Sequence, residues 1–255
     1  MQDDANFGTG GTLVIGGSGG IGQAVCAAFA GAGSDVALTY RSNATAAEQV
    51  QAVIEAAGQR SLARPVDITD RAAVRAMVDE SAEAFGGLHT VVIAMGADIS
   101  MTYVSGIDDD EWDRTIAGDL TGCYNVLKAA IPHLQKSRGS VVAMTSAALH
   151  RYAQKDVLSA VPKAGVEVLI RGIAREEGRS GVRANSIALG VIDGGLFHRL
   201  TERVPPEFVE AMKRNTALRR FGTPEEAADL AVFLASRKAA YITGQSIALD
   251  GGYSI

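Results

Sequence analysis

Two cysteines among 255 residues are too few for a disulfide framework, and Cys26 and Cys123 sit far apart in apolar, helix-like surroundings. They read as buried thiols, and with no pair at metal-ligand spacing no metal is expected. Basic clustering is missing too. The 24 basic and 29 acidic side chains leave a net charge of −5 with no basic stripe, which argues against a nucleic-acid partner. No apolar run approaches the roughly 20 residues needed to span a bilayer, so no membrane partner is expected. The opening Met1-Gln2-Asp3-Asp4 is acidic and lacks the charged-then-apolar pattern of a signal segment. A cytoplasmic protein is expected, with residues 1–10 flexible. Repeats, linkers and low-complexity tracts are likewise missing. What remains is a chain that is 47% hydrophobic, with strand and helix patterns alternating along it. This predicts one domain over 1–255 with a substantial core.

The most informative stretch runs from Gly11 to Arg41. A short apolar run, Leu13-Val14-Ile15, enters the turn Gly16-Gly17-Ser18-Gly19-Gly20-Ile21-Gly22. A helical pattern follows, with Ile21, Val25, Ala28 and Phe29 on one face, and then a second apolar run, Val36-Ala37-Leu38. Strand, glycine turn, helix and strand make the βαβ unit of a dinucleotide-binding fold. Glycines there permit a tight turn, close approach of a pyrophosphate, and close packing of helix on strand. The helix N-terminus offers unpaired N–H groups and the positive end of its dipole.

Further on, helices are predicted over 44–57 and from Thr69 or Asp70 as cap to Phe85, then as a pair over 109–136 and over 157–178 and 225–234. Strands are predicted over 61–66, 88–95, 140–144, 182–189 and 246–249, with 190–206 irregular. Seven buried strands alternating with helices require a parallel, doubly wound Rossmann-type α/β sheet with helices on both faces. Ligands then sit at the carboxyl ends of the strands, near 16–22, 67–68, 94–98, 145–152 and 189–198.

Gly16-x-x-x-Gly20-Ile21-Gly22, Asp67-Ile68-Thr69-Asp70, Ser146, Lys163-Ala164-Gly165, Val182-Arg183-Ala184-Asn185, the run from Arg220 to Glu226, and Asp250-Gly251-Gly252 stand in order along nearly the whole chain. Together they resemble the short-chain dehydrogenase/reductase family, close to its 3-oxoacyl-carrier-protein-reductase-like members. The resemblance implies a nicotinamide coenzyme held by Gly16, Ser18, Gly20, Ile21 and Gly22. Asp67 and Ile68 would flank the adenine, Gly96 would let the chain pass the ribose, and Lys163 and Ile192 would complete the site. It also implies a homotetramer (or dimer) built on the helices at 109–136 and 157–178. The tip of the second strand carries Tyr40 and Arg41 and no carboxylate. A guanidinium there suits a 2′-phosphate, which favours NADP(H) over NAD(H).

At the catalytic positions the chain departs from the family. Ser146 and Lys163 stand at family spacing, but the tyrosine position between them is Ser159, and the upstream asparagine position is Asp119. The usual Asn-Asn-Ala-Gly reads Ile93-Ala94-Met95-Gly96, the Pro-Gly after the sixth strand reads Leu189-Gly190, and Gly194 replaces a threonine. A tyrosine hydroxyl, with pKa about 10, is drawn lower by a nearby ammonium, whereas a serine hydroxyl is too weak an acid to replace it. Ser146 can still donate to a substrate oxygen. Tyr152 and His150 in the following loop, and Asp119 beside Lys163, are candidate proton donors. The expected activity is reduction of a carbonyl or conjugated alkene of a small molecule. A catalytically silent nucleotide-binding subunit and, less favoured, a non-redox lyase or isomerase remain open.

Overall fold

A computed structural model of the chain describes residues 6–255. Seven strands form one parallel sheet: β1 Gly11–Ile15, β2 Val36–Tyr40, β3 Ser61–Pro65, β4 Leu88–Ile93, β5 Ser140–Ser146, β6 Arg183–Leu189 and β7 Ser246–Leu249. Their order is β3-β2-β1-β4-β5-β6-β7, so the winding direction reverses between β1 and β4. In open α/β sheets that reversal opens a crevice at the carboxyl ends of the two strands. Register across the centre pairs Leu13 with Ala37 and Val91, and Val14 with Leu38 and Val92. Successive residues face opposite sides of the sheet, so the central strands β1, β4 and β5 feed both cores and are mostly apolar. The expectation of seven buried strands fails at the sheet edges, where β3 and β7 are only partly covered. Leu13, Ile15, Val91, Ile93 and Val141 pack beneath one helix layer, and Val14, Leu38, Val92, Val142 and Ile187 beneath the other.

The helices are α1 Gly20–Gly31, α2 Ala44–Ala56, α3 Arg71–Phe85, α4 Asp109–Thr115, α5 Cys123–Ser137, α6 Val157–Glu177, α7 Leu196–Thr201, α8 Pro206–Arg214 and α9 Pro224–Ala235. Helices α1, α2 and α9 cover one face of the sheet, and α3, α5 and α6 the other. Local chemistry sets their starts. Asn43, Asp70 and Asp108 accept backbone N–H groups at the starts of α2, α3 and α4, and Thr223 and Glu226 form a reciprocal capping box on α9. Asp70 is thus the cap that the sequence left undecided between it and Thr69.

Two expectations need correction. Between α4 and α5 the chain does not break into a helix pair but continues through a π-helical segment, Ile116–Gly122. Such widened turns insert an extra residue and re-aim the side chains on them. The stretch 190–206 is not wholly irregular either, since it holds α7 and is followed by the nine-residue α8. Of the segment expected to be flexible, residues 1–5 lie outside the described residues. Phe7 is buried, stacked on Phe29 at 5.5 Å and on the His89 ring at 4.8 Å.

His89, at the start of β4, is 3% exposed and is held by Ser34 Oγ at 3.0 Å and Thr90 Oγ1 at 2.9 Å. Burial lowers its pKa from 6.5 to about 4, partly opposed by Asp35, so the folded protein keeps it neutral where the unfolded chain protonates it. The stability this supplies is complete above pH 6.5 and is lost as pH falls towards 4, to the extent of about 3 kcal/mol. Urea denaturation at stepped pH should show that decline, and His89→Gln should remove it.

Candidate active site

The glycine turn closes the carboxyl end of β1 at the switch point. Gly16 has φ +81°, and its N–H donates to Thr39 Oγ1 at 3.1 Å; a Cβ there would lie 2.9 Å from that of Met95, at the end of β4. Gly22 packs α1 onto this turn so closely that a Cβ would come within 2.1 Å of the Gly16 carbonyl oxygen. Half-buried Ser18 accepts from Gln23 Nε2 through its carbonyl at 2.9 Å. The N–H groups of Gly20, Ile21 and Gly22 find no acceptor among the described residues. Three unpaired donors at the N-terminus of a 12-residue helix fit a pyrophosphate.

The rest of the predicted coenzyme set lies along the same sheet edge. Arg41 is exposed just past β2, near enough to Asp67 to help hold that carboxyl below its usual range, though hydrogen bonds from Thr69 do most of this. The Ile68 carbonyl accepts from the buried Asn125 Nδ2 at 3.0 Å, which fixes the end of the β3 loop. Gly96 is exposed just past β4. Ile192 is buried and bridged to Gly222, against which its side chain packs.

Among the candidate catalytic residues, Lys163 and Asp119 are brought together. Both are buried, with Nζ 3.8 Å from Oδ2. Lys163 donates to the Met95 carbonyl at 2.7 Å, and Asp119 Oδ2 accepts from Ala97 N–H at 3.1 Å. The π-helical turn aims Asp119 inward, and the pair fastens the backbone around Gly96. Buried Cys123 senses both: burial pushes its thiol up to about 11, with Lys163 opposing and Asp119 reinforcing. Ser146, at the end of β5, accepts from Ala148 N–H at 3.2 Å, and Ser159 is half-buried on α6. Neither hydrogen-bonds to Lys163 or Asp119. Tyr152 is 57% exposed, and no hydrogen bond ties it to this group.

Residues 189–198 were expected beside the ligand, but not the contacts by which 193–203 lie against the crevice. Gly195 lies against the glycine turn, with its nitrogen 2.6 Å from where a Gly20 Cβ would be, and Leu196 Cδ1 lies 3.6 Å from the corresponding point on Gly96. Arg203 makes two hydrogen bonds to the Asp98 carboxylate, at 3.0 and 2.8 Å, and Arg199 adds an ion pair at 3.4 Å. The unpaired donors and the turn fit a coenzyme pyrophosphate, and the backbone of Gly194 and Gly195 lies directly against Gly20. Also unanticipated is Asp156, just before α6, whose carboxyl burial raises to about 6. The signal was present in the numbering, since 156, 159 and 163 recur at helical spacing.

No described helix is long and apolar enough to cross a membrane. The family model described as Enoyl-(Acyl carrier protein) reductase matches residues 16–254. The chain is 33% identical to the 3-oxoacyl-[acyl-carrier-protein] reductase FabG of Staphylococcus aureus, over 94% of this chain and 96% of that one. It is 32% identical to the 2,5-dichloro-2,5-cyclohexadiene-1,4-diol dehydrogenase LinX of Sphingobium indicum, over 95% of each. A short-chain dehydrogenase/reductase from Serratia marcescens superposes with a TM-score of 0.90 at 29% identity, covering 98% of this chain and all of that one. The chain belongs to the short-chain dehydrogenase/reductase family of NAD(P)-dependent oxidoreductases.

Proposed function

We propose that the protein is a cytoplasmic, NADP(H)-dependent reductase of a carbonyl or conjugated alkene in a small organic substrate, working without the family tyrosine. The observation that carries this reading is the set of unpaired Gly20, Ile21 and Gly22 amides at the β1/β4 switch point, with Lys163 buried beyond Gly96. Arg41 would hold the 2′-phosphate, the three amides the pyrophosphate, Asp67 and Ile68 the adenine, and Lys163 the nicotinamide ribose. The bound coenzyme supplies hydride. Ser146 donates a hydrogen bond to the substrate oxygen, and Lys163 contributes positive charge beside it. The enoyl and oxoacyl reductases among the similar proteins support both alkene and carbonyl reduction as the class of chemistry. Exposed Trp112 on α4, Tyr124 on α5, and Val161 and Val168 on α6 offer apolar surface for a homotetramer.

Calorimetry with NADPH and NADH, followed by NADPH oxidation across a ketone and enone panel, tests the reading. Tighter NADPH binding is expected, and Arg41→Ala should remove roughly a tenfold preference, the loss of one charge-assisted phosphate contact. Equal affinities in the wild type would defeat the NADP(H) assignment. A second reading, a catalytically silent subunit, is favoured by the joint departures from the family pattern at Ser159, Asp119, Ile93 and Gly194. Bound NADPH with no oxidation of any substrate would select it.

A further inference from the structure

Asp156 immediately precedes α6, and its carbonyl accepts the N–H groups of Ser159 at 3.1 Å and Ala160 at 2.8 Å. Its carboxylate does not cap the helix, unlike the side chains of Asn43, Asp70, Asp108 and Thr223 in the same position elsewhere. Nor does it take any hydrogen bond or ion pair among the described residues. Lys155, next to it, turns away over the Tyr103 ring at 4.9 Å, and Arg151 donates to the Tyr253 carbonyl.

Steps of three and four residues put Asp156, Ser159 and Lys163 on one face of α6, the face that also buries Glu167 and Ile170 against the sheet. The crossover from β5 brings the start of α6 to the carboxyl edge of the sheet, where Ser146 and the exposed Gly96 also lie. Side chains on a helix lean towards its N-terminus, and Ser159, between Asp156 and Lys163 on that face, is half-buried and makes no side-chain hydrogen bond among the described residues.

We propose that the Asp156 carboxyl group is the proton donor to the substrate oxygen, a proposal that rests on the reductase reading above. Hydride reaches the electrophilic carbon from a reduced nicotinamide coenzyme, and the π pair moves to oxygen. The Asp156 O–H bond breaks as the new O–H bond on the substrate forms. The carboxylate that remains is half-buried and regains its proton from water. Burial alone displaces the Asp156 pKa, to about 6, and no charged side chain contributes. A group of that strength is matched to proton transfer near neutral pH, which a serine hydroxyl is not.

Steady-state NADPH oxidation from pH 5 to 9 by the wild type, Asp156→Asn and Asp156→Glu tests this, with coenzyme affinity read separately by fluorescence. With a substrate turned over, wild-type kcat should fall above pH about 6. Asp156→Asn should lose roughly 100-fold in kcat and the pH limb together, with NADPH affinity within about twofold of wild type. Asp156→Glu should keep a limb and part of the rate. An Asn variant with wild-type kcat and limb overturns the donor and leaves the reductase reading standing. A wild type that turns over nothing overturns both. If the Asn variant does not fold, a wild type without a limb between pH 5 and 8 overturns the proposal by itself.

Discussion

Gly22→Ala should abolish tight coenzyme binding and destabilise the fold in one step. The added Cβ would sit 2.1 Å from the Gly16 carbonyl oxygen and 2.8 Å from Gly17 Cα. Both are backbone atoms of the turn, so no side-chain rotation relieves the contact. Gly16 cannot retreat, because its own Cβ position already lies 2.9 Å from Met95 Cβ and its N–H is held by Thr39. The helix must lift from β1, carrying the amides of Gly20, Ile21 and Gly22 out of line. Overpacking of this kind costs about 1–3 kcal/mol. Loss of the aligned donors should weaken NADPH binding by roughly 100-fold, as expected for two charge-assisted hydrogen bonds. Calorimetry and thermal unfolding measure the two effects separately. Gly31→Ala is the control, since nothing lies within 4 Å of its Cβ position and a helix gains from alanine.

This turn was legible in the sequence because each of its constraints is local. A buried strand, a run of glycines and an amphipathic helix occupy 21 consecutive positions, 11–31, and each fixes the next. The central strands were legible for a related reason, since parallel strands buried on both faces must be largely apolar. That reason does not extend to the partly covered edge strands β3 and β7. The π-helical turn at 116–122 was not legible. Its sequence is compatible with ordinary helix; the pairing of Asp119 with Lys163 was expected, but not the widened turn that aims the carboxylate there. The same holds for 193–203. Nothing near Arg199 or Arg203 announces that both reach back to Asp98. Asp156 escaped notice because its neighbours predict only a helix start, where an aspartate ordinarily caps. The structure shows a carboxylate without that job, its pKa raised by partial burial.

Asp98 and Asp156 face opposite electrostatic circumstances on the two loops that wall the crevice. Arg203 and Arg199 surround Asp98 and hold its carboxyl below its usual range, so it stays charged and fastens α7 across the site. Asp156 is partly buried without a charged partner, and its carboxyl rises. One loop therefore supplies a fixed ion for closure, and the other a group able to exchange a proton. Lys163 takes the fixed role on α6 itself, tied to the Met95 carbonyl and to Asp119.

Ser159→Tyr should consequently lower the native activity, although it restores the residue that the family resemblance places there. Position 159 lies between Asp156 and Lys163 on one helix face, and a phenol ring would fill the space through which the Asp156 carboxyl reaches the substrate. Half-buried Ser159 makes no side-chain hydrogen bond among the described residues, so the substitution breaks none there and acts mainly through occupancy. Turnover of the native substrate should fall by roughly tenfold or more, and the decline should move well above pH about 6. A tyrosine acid, ordinarily near 10 and drawn lower by the Lys163 ammonium, still loses its proton at a higher pH than the Asp156 carboxyl. Coenzyme affinity should stay within about twofold, since the pyrophosphate turn and Lys163 are untouched. Stopped-flow NADPH oxidation over the pH range, paired with a binding titration, reads both. A gain in turnover of roughly 100-fold with an unchanged limb would mean that the site had lost a donor and not exchanged one. Asp156 would then be a bystander, and the departures at positions 119 and 159 would mark decay of the family's chemistry.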